Sequence, residues 1–386
     1  MFFHIGKTTQ SNFPHNHQSK DFIISLDEGW THFQDHLGND VWYKGYLDDD
    51  ILSRFAVNIS SETIPSCSGN FCVIKITDQG VVLRSDRSRS WPLWYDPSLG
   101  LTNLHDIGET IWVDCLVTLN QDLTLTRSYY DAIGPISNIT NSFETVVNEI
   151  DHILDKKILN FLSIIDKPLR VFLSGGIDTA LIFSYIKKHT SNYELILASH
   201  LDYDYFYLKN HSYLETLWGY TQIHHWLDDC YLASGSPGDE YTARSPITAN
   251  ILLRSHGTSI PELLQDPKYV DCLHYSYFMQ DKYLKMWDNQ TGDPVRPLDE
   301  AVRICCNYNI NDWQHWHLGR TLTWTPLREL DVFKLVASLG LDDLKDQVMN
   351  SVLQIELIKR NDPKILTYLS EQKNSLNHMA NLANLL

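Results

Sequence analysis

Between residues 169 and 201 an apolar run, LRVFL, leads into the loop SGGIDT, then the helical pattern ALIFSYIKKH, then a second apolar run, YELILASHL. Strand, helix and strand within about 35 residues make a βαβ unit, because parallel strands are joined only through a crossover of this kind. This stretch commits the second part of the chain to an α/β domain with a parallel sheet.

The loop carries chemistry. After Leu173 at the strand end, Gly175 and Gly176 permit a tight turn and close backbone approach, and the amides opening the next helix face an anion. Ser174 and Thr179 add hydroxyls. Asp178 beside phosphates makes sense chiefly with a divalent cation between them. An ordinary strand-to-helix turn, with Ser174 as cap and Asp178 as a first-turn acid, is the plainer alternative.

Upstream the periodicity differs. From about residue 21 to 135, short β-rich runs (DFIISL, DVWYKGYL, NFCVIKIT, GVVLRSD, WPLWYD, TIWVDCLVTL) alternate with turn residues and predict an antiparallel β domain. The clearest hairpin turns at Asp78-Gln79-Gly80. The Gly-, Pro-, Ser- and Asn-rich segment near 133–144 marks the boundary, giving domains 1–140 and 141–386. FETVVNEIDHILDKKILNFLSII then shows three- and four-residue apolar spacing and predicts one or two amphipathic helices. Beyond 250 the pattern is mostly helical, ending in a terminal helix over TYLSEQKNSLNHMANLANLL.

The 31 Lys and Arg against 48 Asp and Glu give a formal net charge of -17, which argues against nucleic acid as a partner. The seven cysteines show no zinc spacing and fit buried thiols; Cys67 and Cys72 are the one pair placed to bridge or bind metal. His224-His225 and His315 with His317 suit packing or substrate contact better than metal. No apolar run approaches the ~18 to 20 residues of a membrane span, so a cytoplasmic protein is expected.

The SGGIDT string resembles the SGGxDS signature of the N-type ATP pyrophosphatases, which include asparagine synthetase, β-lactam synthetase and the lasso-peptide cyclases. The resemblance implies an adenine nucleotide α-hydrolase-like fold in which Leu173, Ser174, Gly175, Gly176, Asp178 and Thr179 hold the pyrophosphate portion of ATP. The run GNFCVIKITDQGVVLRSDRSRSWPLWYD is similar to the class II glutamine amidotransferase domain that precedes the synthetase domain in asparagine synthetases. That family's nucleophile is an N-terminal cysteine; here the chain begins Met1-Phe2-Phe3, so a degenerate, Ntn-like domain without glutaminase activity is expected.

A second family signature, S-G-x-G-x-D-E, resembles residues 234–240, SGSPGDE. It implies nucleotide contacts from Ser234 and Gly235, a metal-binding pair in Asp178 and Asp239, and a catalytic role for Glu240. Ser236 and Pro237 depart from the pattern, and a solvent loop with acids at a helix start is the alternative reading. The segment from Arg320 through Pro326 resembles the family's turn before a helix, alternatively an amphipathic helix with proline at its start. A charge-stabilising lysine usually follows, for which Lys345 and Lys359 are candidates, Lys345 first; either equally suits a solvated helix surface.

The resemblance implies an ATP- and Mg2+-dependent ligase or cyclase. It would adenylate a substrate carboxylate or carbonyl, release pyrophosphate, and let a substrate-borne or second amine displace AMP. Partners would be small molecules, with no membrane; a homodimer is compatible. A nucleobase-modifying ATP pyrophosphatase and an inactive scaffold remain as alternatives.

Overall fold

The computed structural model describes residues 3–10, 13–47, 69–85, 93–102, 109–111, 115–129, 140–173, 176–197, 230–235, 238–279 and 322–370. Two compact units divide the chain, the first chiefly residues 1–132 and the second beginning at Ile133, beside the boundary expected from composition.

In the first unit the described strands are β1 (Phe3–Gly6), β2 (His15–Ser19), β3 (Phe22–Leu26), β4 (Thr31–Gln34), β5 (Asp40–Leu47), β6 (Gly69–Thr77), β7 (Gly80–Ser85), β8 (Leu93–Asp96), β9 (Gly100–Thr102), β10 (Glu109–Ile111), β11 (Cys115–Asn120) and β12 (Leu125–Tyr129). They form two six-stranded sheets, ordered β10-β8-β9-β1-β3-β2 and β12-β11-β7-β6-β5-β4. Every neighbouring pair is antiparallel.

Strand alternation explains the packing. On β6, Cys72, Ile74 and Ile76 join a core shared with Phe3, Ile5, Phe22 and Ile24 of the other sheet. Phe71 and Val73 point the opposite way and pack with Val41. Because β6 is buried on both faces, NFCVIKIT reads as a nearly continuous apolar run. Cys72 is thus a core residue, and Cys67 lies outside the described residues.

Thr77 pairs with Gly80, so the β6–β7 hairpin forms where expected but turns on Asp78-Gln79, with Gly80 already in β7. The run TIWVDCLVTL is not one strand. Its first part, β10, pairs with β8 in one sheet, and its second, β11, pairs with β7 and β12 in the other. Apolar content alone does not tell which sheet a residue joins.

The second unit opens on α1 (Phe143–Ile164), a single helix capped by Ser142, whose hydroxyl accepts from the Thr145 amide at 3.2 Å. Its buried stripe, Val146, Val147, Ile150, Leu154, Ile158 and Phe161, follows the spacing seen in the sequence. β13 (Leu169–Leu173) and β14 (Glu194–Leu197) pair in parallel across α2 (Ile177–His189), the predicted βαβ unit. With β15 (Tyr231–Ala233) and β16 (Leu322–Trp324) they make a four-stranded sheet, ordered β14-β13-β15-β16.

Residues 179–186 of α2 are all buried, because the helix packs against α1 and against α9 (Val352–Asn361) and α10 (Pro363–Ser370). The remaining helices used below are α3 (Gly238–Tyr241), α4 (Pro246–Ser255), α6 (Tyr275–Phe278), α7 (Leu330–Ala337) and α8 (Leu341–Asn350), with α5 at Ile260–Gln265. Pro326 lies in a turn ahead of α7 rather than at its start. The terminal helix is described only to Ser370.

Distant segments stitch this unit together. The Asn141 amide donates to the Ser338 carbonyl at 2.8 Å, and Arg360 donates to Asn148 and Glu144 on α1 at 2.7 and 2.8 Å. Phe161 stacks on Trp324 with ring centroids 3.7 Å apart and planes 11° apart. Both rings are fully enclosed, so Phe161→Ala is expected to cost about 3 to 5 kcal/mol, read as a fall in urea midpoint without change in secondary structure. An unchanged midpoint would show that α1 does not depend on this stack.

No described helix is long and apolar enough to cross a membrane.

Candidate functional site

Asp178, in the first turn of α2, is the hub of a buried polar cluster. Gly176 caps that helix in an extended conformation. The Thr179 hydroxyl donates to the Gly176 carbonyl at 2.9 Å, within the same turn. Ser174 and Gly175 lie outside the described residues.

The second predicted segment comes directly against the first. Ser234 and Gly235 follow β15, with the Ser234 amide donating to the Trp324 carbonyl at 2.9 Å. Gly238 donates to Gly235 at 2.8 Å, turning the chain into α3. A Cβ on Gly235 would stand 2.3 Å from both the Asp178 carbonyl carbon and the Thr179 nitrogen, and one on Gly238 would stand 2.7 Å from the Asp178 carboxyl carbon. Only glycine permits this approach. Ser236 and Pro237 lie outside the described residues.

The contact carries Asp239 to Asp178, with Arg244 between them. Arg244 Nη1 lies 2.5 Å from Asp178 Oδ2 and 3.0 Å from Asp239 Oδ1. The arginine is aimed by its backbone: the amides of Arg244 and Ser245 both donate to the Asp239 carbonyl, at 2.7 and 2.9 Å. Ala243, fully buried, takes the left-handed conformation (φ 57°) that reverses the chain here. For a residue with a Cβ this costs roughly 1 to 2 kcal/mol, held in place by the surrounding bonds.

A chain of amides anchors the other side of Asp178. Gln354 on α9 donates to Asp178 Oδ1 at 3.0 Å and to the Thr242 hydroxyl at 2.8 Å. Gln347 on α8 donates to Gln354 Oε1 at 2.9 Å and to the Thr242 carbonyl at 2.8 Å, and accepts from the Leu353 amide. Both glutamines are fully buried, and these bonds fix which way each amide faces.

Protonation follows from the geometry. Burial, with the adjoining Asp239 carboxylate, pushes Asp178 up to about 7 against the pull of Arg244 and Gln354. Burial also works to raise Asp239, but Arg244 and a hydrogen bond with Asp178 hold it low, so the two acids titrate as a pair with Asp178 the higher. Burial, reinforced by the charges of Asp239 and Asp178, raises Glu240 well above the usual carboxylate range.

His274, just before α6, is pushed down to about 4 by burial and by Arg244. It is neutral at pH 7. Because guanidinium only donates, the His274 Nε2 that faces Arg244 Nη2 at 3.5 Å is the acceptor nitrogen, and its short bond, 2.8 Å, is to the Ser351 hydroxyl. Ser351, fully buried, is a second left-handed residue (φ 56°), at the junction of α8 and α9.

Of the predicted residues, then, Asp178, Asp239, Gly235, Gly176 and Thr179 come together, with Ser234 and the buried Glu240 on the same segment. Lys345 shares α8 with Gln347 but lies about 200° round the helix from it. Its side chain meets Asp342 at 3.8 Å. Lys359 is largely exposed and meets Glu356 at 3.9 Å. Arg320 and the four paired histidines lie outside the described residues.

The acid pair supplies only part of the oxygen set that a magnesium-type cation takes. Two carboxylates from separate loops converge on one positive group, and Asp239 Oδ1 is sealed while the rest of its side chain, 45% exposed, meets solvent. Among the described residues no group of three or more His, Cys, Asp or Glu is set to hold a metal ion, so a cation here needs further oxygens, as magnesium takes from phosphates. Compared with protein-family models and with curated proteins, the sequence matches none.

Sequence reading missed Arg244, His274, Thr242, Gln347 and Gln354. For the glutamines a signal exists: they occupy core positions, among Leu344, Val348, Leu353 and Leu357, where an amphipathic helix puts apolar residues.

Proposed function

We propose that the chain is an ATP-dependent amide-forming ligase or cyclase of the asparagine synthetase-like kind. The observation that carries this reading is the convergence of Asp178 and Asp239, 61 residues apart in sequence, through two glycine-bearing loops at the end of a parallel strand. A mere strand-to-helix turn gives no reason for Gly235 and Gly238 to press on Asp178.

On this reading the amides of the 174–179 loop receive the pyrophosphate portion of ATP at the N-terminus of α2. Asp178 and Asp239 would hold magnesium, which when bound neutralises charge on the phosphates. Gln354 orients Asp178, and the 238–245 turn sets Asp239. A substrate carboxylate oxygen attacks the α-phosphorus, breaking its bond to pyrophosphate; an amine then attacks the acyl carbon, and AMP leaves. On this reading the nitrogen comes from an amine carried by the substrate or by a second substrate; of the described cysteines Cys72 and Cys230 are buried and Cys272 is partly exposed.

The test is AMP and pyrophosphate release from ATP and magnesium with a pool of amino acids and small metabolites. Both products should appear in equal amounts and fall at least a hundredfold in Asp178→Ala. Release of ADP and phosphate, or AMP release indifferent to Asp178, would reject the reading. A second reading, a nucleotide-binding scaffold, draws support from Arg244, which already neutralises the acid pair; ATP binding without AMP release under every substrate pool favours it.

A further inference from the structure

We propose that Arg244 is an internal counter-cation: without nucleotide it occupies the place between Asp178 and Asp239 that a divalent cation would take, and it moves to the phosphates when nucleotide brings that cation in. This inference rests on the function proposed above for the same site.

Three observations carry it. Guanidinium and a magnesium-like ion compete for the same oxygens, since Arg244 Nη1 already lies 2.5 and 3.0 Å from the two carboxylates, and magnesium needs contacts of about 2.0 to 2.1 Å. Next, Arg244 is not saturated where it stands: only 6% exposed, its Nε–H has no hydrogen-bond partner. Buried donors are normally satisfied, so an orphan on a planar group suited to phosphate points to a ligand that completes it. Finally, the backbone carrying Arg244 is pinned by the Asp239 carbonyl and the left-handed Ala243, leaving the side chain as the movable part.

Charge fixes the order of preference. Two carboxylates and one guanidinium carry at most one net negative charge. A bare divalent cation would overshoot to positive in a buried site, whereas cation and phosphates arriving together give Arg244 a new anionic partner. The free protein should therefore bind divalent metal poorly although it holds two converging acids.

The experiment is Mn2+ binding to the full chain without nucleotide, by calorimetry and by the Mn2+ electron-spin signal. Arg244→Gln should bind Mn2+ at least tenfold more tightly than wild type, and adding Asp239→Asn should abolish the gain. Inorganic pyrophosphate with Mn2+ should bind more weakly to Arg244→Gln than to wild type. Equal Mn2+ affinity in wild type and Arg244→Gln would overturn the proposal. Should the glutamine variant not fold, Arg244→Lys, whose point charge bridges the acids less well, should gain a few-fold in Mn2+ affinity; no gain overturns it equally. A chain that releases no AMP yet shows the Mn2+ gain separates the two ideas, rejecting the ligase and keeping the counter-cation.

Discussion

On the proposed ligase function, Gly235→Ala should lower turnover about a hundredfold while leaving the chain folded. The added methyl would lie 2.3 Å from backbone atoms of Asp178 and Thr179 and 2.5 Å from the Asp178 carbonyl oxygen. Backbone on both sides cannot rotate away, so the two loops must part by about 1 Å, and a misplacement of that size at reacting groups costs on the order of a hundredfold. Overpacking adds about 1 to 3 kcal/mol of destabilisation. The effect should be local: AMP release and Mn2+-pyrophosphate binding fall together, while the Arg170–Glu194 pair and the parallel β13–β14 ladder behind it are untouched. A Gly235→Ala protein that turns over and melts like wild type would mean that the loops do not meet in solution.

In the first unit the largest effect is expected at Lys75→Met. Lys75 Nζ lies 2.6 Å from Asp35 Oδ2, and the Asp35 side chain is wholly enclosed. Asp35 also accepts from the Leu37 and Asn39 amides and the Asn39 side chain, at 2.9, 2.8 and 3.0 Å. Burial alone would raise Asp35; the hydrogen bonds from Lys75 and Asn39, with those amides, outweigh it and hold the carboxyl well below its ordinary range. Removing Lys75 strands a buried charge, which costs about 3 to 5 kcal/mol. The lower end applies, since exposed Leu37 keeps this turn close to water.

The sign is fixed by linkage. A lowered folded-state value means the contribution is full above the unfolded carboxylate range, near pH 4, and is lost as pH falls through the folded value. Urea midpoints of wild type and Lys75→Met should therefore differ most at pH 7 and draw together toward pH 2. Asp35→Asn combined with Lys75→Met should recover most of the loss at pH 7. A gap that stays constant with pH would show that the pair contributes only packing.

Strands with an apolar side were legible in the sequence, and those without one were not. β3, β5, β6 and β7 stand out because burial of one face makes a strand alternate and burial of both, as in β6, makes it continuously apolar. HNHQS and THFQ, the edge strands β2 and β4, are mostly exposed and carry no such pattern. The C-terminal helices were legible as helical text, but not the break at Ser351, since serine has no intrinsic preference for the left-handed conformation it takes there. At the candidate site the two loop signatures could be read because glycines and acids sit at fixed local spacings. Arg244 and Gln354 could not, because their relation to Asp178, across 66 and 176 residues, exists only after folding.

The stitching of α1 has a bearing on how the chain is made. Asn141 bonds Ser338, 197 residues on, and Glu144 bonds Arg360, 216 residues on. The strand pairs of the first unit's two sheets all lie within residues 3–129. At ribosomal rates of about 5 to 20 residues per second, helix α1 waits on the order of 10 to 40 s for the segments that cover it. Through that interval α2 is available to cover α1, while the part of the α1 stripe that α7 and α9 cover still lacks them. A nascent chain halted between about 200 and 320 should therefore be cut by protease more readily than the full chain.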